Sequence, residues 1–443
     1  MPIYGLLIRL CTAIGFLQPI VWLTLYFCED YPTKGTDKKI KVLALCPPRF
    51  RGDLDVLSQS GGFEVKALPH FWMCRILYTF YKSKPTFEAF YPERDKHEED
   101  HERLAKFMSD FLPMLYKKTG TDIVISAAVH YISDHLWGMH SSLNGTSFIV
   151  MHRESFMASE HIRKIKRDFW RRIGSDFVID RLISQTSAAN DVFIESDIIT
   201  QDKGGYAGTL RMDDFVGKYY NENTPLPEEK CVTLFSFTYA FGVWSPVPHW
   251  YDNHEDYDGF SHMFDEVHAA FAQFAKKHPD VKCVIKPKWD KNWIEKIDLA
   301  LERFDMNRSD IPNLEILPDV NVWQLIAESN VICGYGSTTI LESIVIGGRP
   351  IVVPQLGEIQ RPENQNKIMM SEGLPLFDTA YSMDEFVEKI EHRLFEDPFV
   401  PKDIQEKREK LFETWSSFLD QSALEKYTAL FKETIEHKKK EET

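Results

Sequence analysis

Short apolar runs recur along the chain, and between them apolar residues return every three to four positions. KIKVLALCPP (39–48) is a Val/Leu-rich run stopped by Pro47-Pro48, the pattern of a buried strand. From about 99 to 118, Leu104, Phe107, Met108, Phe111, Leu112 and Leu115 fall at helical spacing. TDIVISAAVH (121–130), SFIVMH (147–152) and SDFVIDRLIS (175–184) follow as further strands, with helical stretches between them. Strands alternating with helices imply a parallel sheet covered on both faces.

A second series begins after the polar, proline-bearing stretch NENTPLPEEK (221–230), which reads as an interdomain linker. Its strands are CVTLFSF (231–237), VKCVIKP (281–287), NLEIL (313–317), NVICGYG (330–336) and PIVVPQ (350–355). Helices are expected over 260–277, 291–304, 321–328, from Ser337, over 383–395 and over 402–437. The expectation is an α/β protein of two doubly wound, Rossmann-like domains facing a cleft, with C-terminal helices. The boundaries read from the pattern are a hydrophobic segment at 1–30, an N-terminal domain at 38–220, a C-terminal domain at 230–400, and helices with a charged tail at 401–443. A length of 443 residues agrees with two cores rather than one.

The first thirty residues change the picture. The chain is uncharged from Leu10 to Cys28, with Arg9 before it and Lys34, Lys38, Lys39 and Lys41 after it. Such a run is about long enough to span a bilayer, and the lysines on its far side favour a cytoplasmic body. Gln18-Pro19 interrupts it, so a re-entrant or interfacial helix fits as well. The expectation is attachment to the cytoplasmic face of a membrane. The formal net charge of −15 excludes a dedicated nucleic-acid binder, which carries a basic footprint. The seven cysteines are scattered, without C-x-x-C or zinc spacing, and read as buried thiols in a reducing compartment. Sequons at Asn144 and Asn307 matter only for a chain that enters a secretory lumen.

The most informative stretch is NVICGYGSTTILESIVIGGRPIVVPQ (330–355). It reads strand, glycine turn, helix, Gly-Gly-Arg-Pro turn, strand. Gly334 and Gly336 permit a tight turn, and Ser337 and Thr338 cap the new helix. Free N–H groups and the positive dipole end then face the carboxyl edge of the sheet, which makes a phosphate site. Glu342, one to two turns into the helix, is placed to hydrogen-bond a ribose diol. The alternative is an ordinary βαβ unit without a ligand.

This stretch resembles the donor-binding element of GT-B glycosyltransferases. GTLRMDDF (208–215) is similar to the G-x-P-R-x-D segment of the surface-polysaccharide and CDP-glycerol glycerophosphotransferase branch, with Leu210 in place of proline. That branch is similar in fold to UDP-N-acetylglucosamine 2-epimerases. VIKPKWD (284–290) looks like the K-x-H-P segment of those families, with Pro287-Lys288 where His-Pro is expected. The resemblance covers roughly 120 to 360. It implies that Gly336, Ser337 and Thr338 hold a donor diphosphate, that Glu342 holds the ribose, and that Lys286 or Lys288 neutralises phosphate charge. It implies no cofactor, since the nucleotide-activated donor is itself a substrate. Arg211 and Asp213 read better as a structural pair at the domain junction than as ligands.

On the acceptor side, His130 and His152 end strand-like runs, where open α/β sheets bind ligands. Glu154 follows in HRES and either orients His152 or acts itself; Asp134 and His135 lie a little further from the first strand end. Histidine suits proton removal from a hydroxyl near neutrality. Each of these is also readable as a structural residue. The loop 244–259 holds Asp256-Tyr257-Asp258, a D-x-D match, but that metal motif belongs to the other major glycosyltransferase fold, so no metal is expected. HIRKIKRDFWRR (161–172) is a basic, aromatic helix that either lies on anionic lipid or forms a solvated face.

Together these features point to a GT-B-type transferase moving a sugar or polyol phosphate from a nucleotide donor to a surface polysaccharide or lipid-linked acceptor. The rivals are a nucleotide-sugar 2-epimerase on the same fold and a degenerate GT-B membrane scaffold.

Overall fold

The structure is a computed structural model, and it describes residues 2–35, 39–82, 97–153, 156–173, 177–220, 225–237, 260–288, 291–368 and 370–441. The chain forms two compact units. The first comprises Met1–Ser155, Lys166–Asp213 and Gln421–Thr443; the second comprises Phe156–Ile165 and Asp214–Asp420. Both are Rossmann-like α/β domains, the class expected from the alternating pattern.

The first unit holds β1 (Glu29–Asp30), β2 (Ile40–Leu45), β3 (Phe63–Leu68), β4 (Ile123–Ser126), β5 (Ser147–His152), β6 (Arg181–Ser184) and β7 (Gly204–Tyr206). Their order is β1-β3-β2-β4-β5-β6-β7, parallel except for β1 against β3. The strand order reverses between β2 and β4. A helix at Ala423–Glu441 returns from the C-terminus and buries Tyr427 and Phe431 in the same core as Val42, Phe63 and Ile149. Asp213 anchors that return by accepting from the backbone N–H groups of Ala423 and Leu424.

The second unit holds β8 (Cys231–Phe235), β9 (Lys282–Lys286), β10 (Leu314–Ile316), β11 (Val331–Gly334), β12 (Ile351–Pro354) and β13 (Asp378–Ala380). All are parallel, in the order β10-β9-β8-β11-β12-β13. This is the doubly wound order whose reversal falls between the first and fourth strands.

The N-terminal apolar run corrects an expectation. It is two short helices, Pro2–Ala13 and Gln18–Phe27, separated at Gly15, which has φ +68°. Pro19 sits in the first turn of the second helix, where its missing N–H is tolerated. Ile8, Ile20, Val21 and Thr24 are fully buried, and Trp72 Nε1 donates to Thr24 Oγ1 at 2.8 Å. The run therefore packs on the protein itself. Among the described residues no helix is long and apolar enough to cross a membrane, which overturns the expected attachment to the cytoplasmic face of a membrane through residues 10–28.

The basic segment at 161–172 forms a helix, Glu160–Ile173, whose Phe169 and Trp170 face inward and are buried. Trp170 packs on Phe193, and Arg163 and Arg167 are ion-paired with Glu160 and Glu195. The aromatic residues are core rather than a lipid-facing belt.

Candidate functional site

In the second unit the sheet reversal lies between β8 and β11, which run side by side with Phe235 opposite Gly334. A side chain at Gly334 would place its Cβ 3.3 Å from the Phe235 carbonyl oxygen, so this register requires a glycine or a shift. Gly336 follows with φ +57°, a conformation that glycine adopts without steric cost. Ser337 caps the helix Thr338–Ile344: its hydroxyl accepts from Thr339 N–H at 3.2 Å. Gly336 and Ser337 are half-buried, Thr338 is exposed, and Glu342 is buried. The turn thus sits at the crevice where ligands enter open α/β sheets.

A second helix starts after β8, Ser261–Lys277, but its first amides are occupied. The buried Glu358 carboxylate accepts from His262 and Met263 N–H, both at 2.8 Å. A resident carboxylate at a helix N-terminus satisfies the groups an anion would use.

Beside this crevice lies a network that the sequence reading missed. Ser236, one residue past β8, is buried and 2.9 Å from His268 Nε2. His268 Nδ1–H donates to the Phe264 carbonyl at 2.6 Å, so Nε2 accepts the serine proton. Trp293 Nε1–H donates to Ser236 Oγ at 3.0 Å. Burial pushes the His268 imidazole down from 6.5 to about 4, so it is neutral. Phe237 and Tyr335, from the two sides of the reversal, meet edge-on with ring centroids 5.6 Å apart. The missed signal was a Ser just past the fully buried strand CVTLF; nothing in its neighbourhood pointed to a histidine 32 positions away.

The two candidate lysines differ. Lys286 ends β9, is half-buried, and donates to the Pro287 and Pro318 carbonyls at 2.8 Å each. Burial lowers its pKa, against the pull of Asp319. Lys288 is exposed. A phosphate reaching Lys286 has to compete with two backbone carbonyls.

In the first unit the reversal lies between β2 and β4. Arg49, just past β2, donates to Asp134 Oδ1 at 2.5 Å and stacks over Tyr131 at 3.6 Å. Asp134 is fully buried, and burial pushes its carboxyl up to about 6, with Arg49 opposing. His130 is half-buried four residues past the end of β4, and His152 closes β5. Their rings are brought together, with centroids 6.2 Å apart. His152 is buried; its ring packs on Phe193, and Val129 N–H donates to its Nδ1 at 3.5 Å. Glu154 and the D-x-D at 256–258 lie outside the described residues. His135 is buried against Phe177.

Arg211 reaches Asp53 in the first unit. Its backbone N–H donates to Asp53 at 3.2 Å, and its guanidinium lies 4.0 Å from the same carboxylate, which also faces Arg153 Nε at 3.1 Å. Among the described residues no group of three or more His, Cys, Asp or Glu is placed to hold a metal ion.

No protein-family model matches the chain, and no curated protein sequence matches it. Solved structures similar to it include a UDP-GlcNAc 2-epimerase from Neisseria meningitidis bound to UDP-GlcNAc, at 12% identity and TM-score 0.46, covering 90% of this chain and 99% of that one. A glycosyltransferase from Rickettsia africae is 12% identical with TM-score 0.48 and the same coverages, 90% and 99%. The glycosyltransferase SnogD from Streptomyces nogalater is 11% identical with TM-score 0.42, covering 89% of this chain and 100% of that one.

Proposed function

We propose that the protein is a GT-B-type transferase that binds a nucleotide-activated donor in its second unit and moves a sugar or polyol phosphate to a carbohydrate or lipid-linked acceptor. The observation that carries this reading is the position of the Gly336-Ser337-Thr338 turn at the strand-order reversal, with the neighbouring helix end already closed by Glu358. In this account the turn's amides hold the donor diphosphate, and Glu342 bonds the ribose. Lys288, the exposed lysine, screens the charge that develops as the nucleoside diphosphate leaves. Lys286 shapes the strand end through its two carbonyl bonds and reaches phosphate only by giving one up.

The acceptor is assigned to the first unit. His130 takes the proton from the acceptor hydroxyl as its oxygen bonds to the donor's transferred group. With a sugar donor the carbon–oxygen bond to the diphosphate breaks and its electron pair leaves with the nucleoside diphosphate; with a polyol-phosphate donor the P–O–P bond breaks and its electron pair leaves with the nucleoside monophosphate. His152 orients the Val129–His130 turn by accepting from Val129 N–H, and Glu154, two residues on in the sequence, either orients His152 or acts itself. The chemistry needs no cofactor, because the donor carries its own leaving group.

Incubation of the purified protein with nucleotide sugars, with and without polysaccharide or glycolipid acceptors, tests the reading by mass spectrometry of released nucleotide. Acceptor-dependent release of nucleoside diphosphate from a sugar donor, or of nucleoside monophosphate from a polyol-phosphate donor, is expected. Conversion of the donor sugar without acceptor would replace transfer by the isomerase reading. Donor left unchanged under every condition would leave only a binding scaffold.

A further inference from the structure

The helix Pro2–Ala13 leaves Ile3, Leu6, Leu10 and Ile14 exposed along one face, at helical spacing that continues just past its end. Contiguous exposed apolar surface marks a binding site more often than chance. This stripe runs into a groove of about 510 Å³ between that helix and the helix His70–Leu77. The volume falls within the range of small-molecule sites, roughly 300–1,000 Å³. Leu6 and Phe71, 61% and 55% exposed, form its apolar wall, and Arg9, Arg75 and Tyr78 its polar part.

The charges identify the occupant. Arg9 donates to the Thr79 carbonyl at 3.3 Å, and among the described residues no carboxylate pairs with Arg9 or Arg75. Tyr78 bonds Ser133, the neighbour of the buried Asp134 that holds Arg49 at the β2/β4 reversal. The polar part of the groove therefore adjoins the crevice of the first unit. A second copy of the chain fits poorly, because an isologous contact over this patch sets the same cations against each other. Inorganic phosphate alone would leave the apolar wall uncovered.

We propose that this groove binds one anionic amphiphile, with an alkyl or isoprenyl chain against Leu6 and Phe71 and a phosphate on Arg9 and Arg75. Identifying that molecule as the lipid end of the acceptor rests on the transferase reading; the binding itself does not.

Calorimetric titration of the full chain with decyl phosphate below its micelle concentration tests it, with 1-decanol and inorganic phosphate as controls. One site per chain is expected, with both controls at least about tenfold weaker. Arg9→Gln/Arg75→Gln and, separately, Phe71→Ser change exposed positions, and each should weaken decyl phosphate at least about tenfold. The proposal is overturned if both variants bind like wild type, or if adsorption to phosphatidylglycerol vesicles occurs without saturable binding of the single amphiphile. It is equally overturned if sedimentation shows a dimer that Phe71→Ser dissociates. Glu342→Ala, titrated in parallel, should bind the amphiphile like wild type. Loss of nucleotide binding therefore reports on the donor site alone.

Discussion

Replacing Ser236 by alanine removes one hydroxyl that serves two buried partners. The hydroxyl donates to His268 Nε2 at 2.9 Å and accepts from Trp293 Nε1–H at 3.0 Å. Both partners are buried, so the change takes the hydroxyl they share away from an acceptor and a donor inside the core. A buried polar group left unsatisfied costs about 1–3 kcal/mol, and the lost methyl-sized volume adds little. The expected destabilisation of the second unit is about 3 kcal/mol. For a domain of some two hundred residues that corresponds to a fall in Tm of roughly 6–12 °C. Differential scanning calorimetry resolves the two units if they unfold separately, and the fall should be confined to one transition. Ser236→Thr keeps a hydroxyl and should recover part of the loss. A Tm within about 1 °C of wild type for the alanine variant would mean the network is hydrated or unformed, and the reasoning would fail.

His268 also makes the second unit acid-sensitive. Its pKa falls from 6.5 to about 4 on folding, so its contribution is complete above pH 6.5 and lost as pH drops toward 4, by roughly 3 kcal/mol. His268→Gln should blunt the difference in calorimetric stability between pH 7 and 4.5; an unchanged pH dependence would exclude this histidine as the source. Gly138→Ala drives a Cβ to 2.2 Å from the buried Phe148 ring, and overpacking should cost the first unit about 2 kcal/mol despite alanine's better helix propensity, read as a lower Tm. Asp213→Ala removes the carboxylate that accepts from Ala423 and Leu424, so the helix Ala423–Glu441 should lose about 1 kcal/mol of anchoring and exchange its amides faster.

The long strands were legible because burial on both faces writes a continuous apolar run. SFIVMH is β5 residue for residue, and VKCVIKP and PIVVPQ frame β9 and β12. β3 was passed over because Glu64 and Lys66 alternate with its apolar residues. β7 and β13 are three-residue strands, too short to show a period. The stretch 402–437 was read as helical throughout, but it breaks between Trp415 and Ala423, and its last helix belongs to the first unit. That return depends on tertiary packing of Tyr427 and Phe431, which no local pattern records. The apolar run at 10–28 misled for a related reason: Cys11, Leu17, Ile20, Val21 and Thr24 are buried against the protein, and composition cannot tell a docked helix pair from a span.

At the candidate site the turn at Gly334–Thr338 was readable, since glycines followed by a hydroxyl cap after a strand dictate local geometry. The partners at long sequence separation were not. Arg49 with Asp134, Asp53 with Arg153 and Arg211, and Ser236 with His268 are joined only by the sheet order. His130 and His152 were singled out because each lies at the carboxyl end of a strand-like run, and the sheet sets β4 beside β5, which brings their rings together.

The central claim is that the Gly336-Ser337-Thr338 turn and Glu342 bind a nucleotide. Thermal unfolding of wild type and Glu342→Ala, with a panel of nucleoside mono- and diphosphates and nucleotide sugars, addresses it most directly. A ligand at a hundred times its Kd adds about 2.7 kcal/mol to the native state, or roughly 5–10 °C in the transition of the second unit. The account predicts such a rise for one base family in wild type and its loss in Glu342→Ala. No rise with any nucleotide in a cooperatively folded sample, or an equal rise in both proteins, would contradict it.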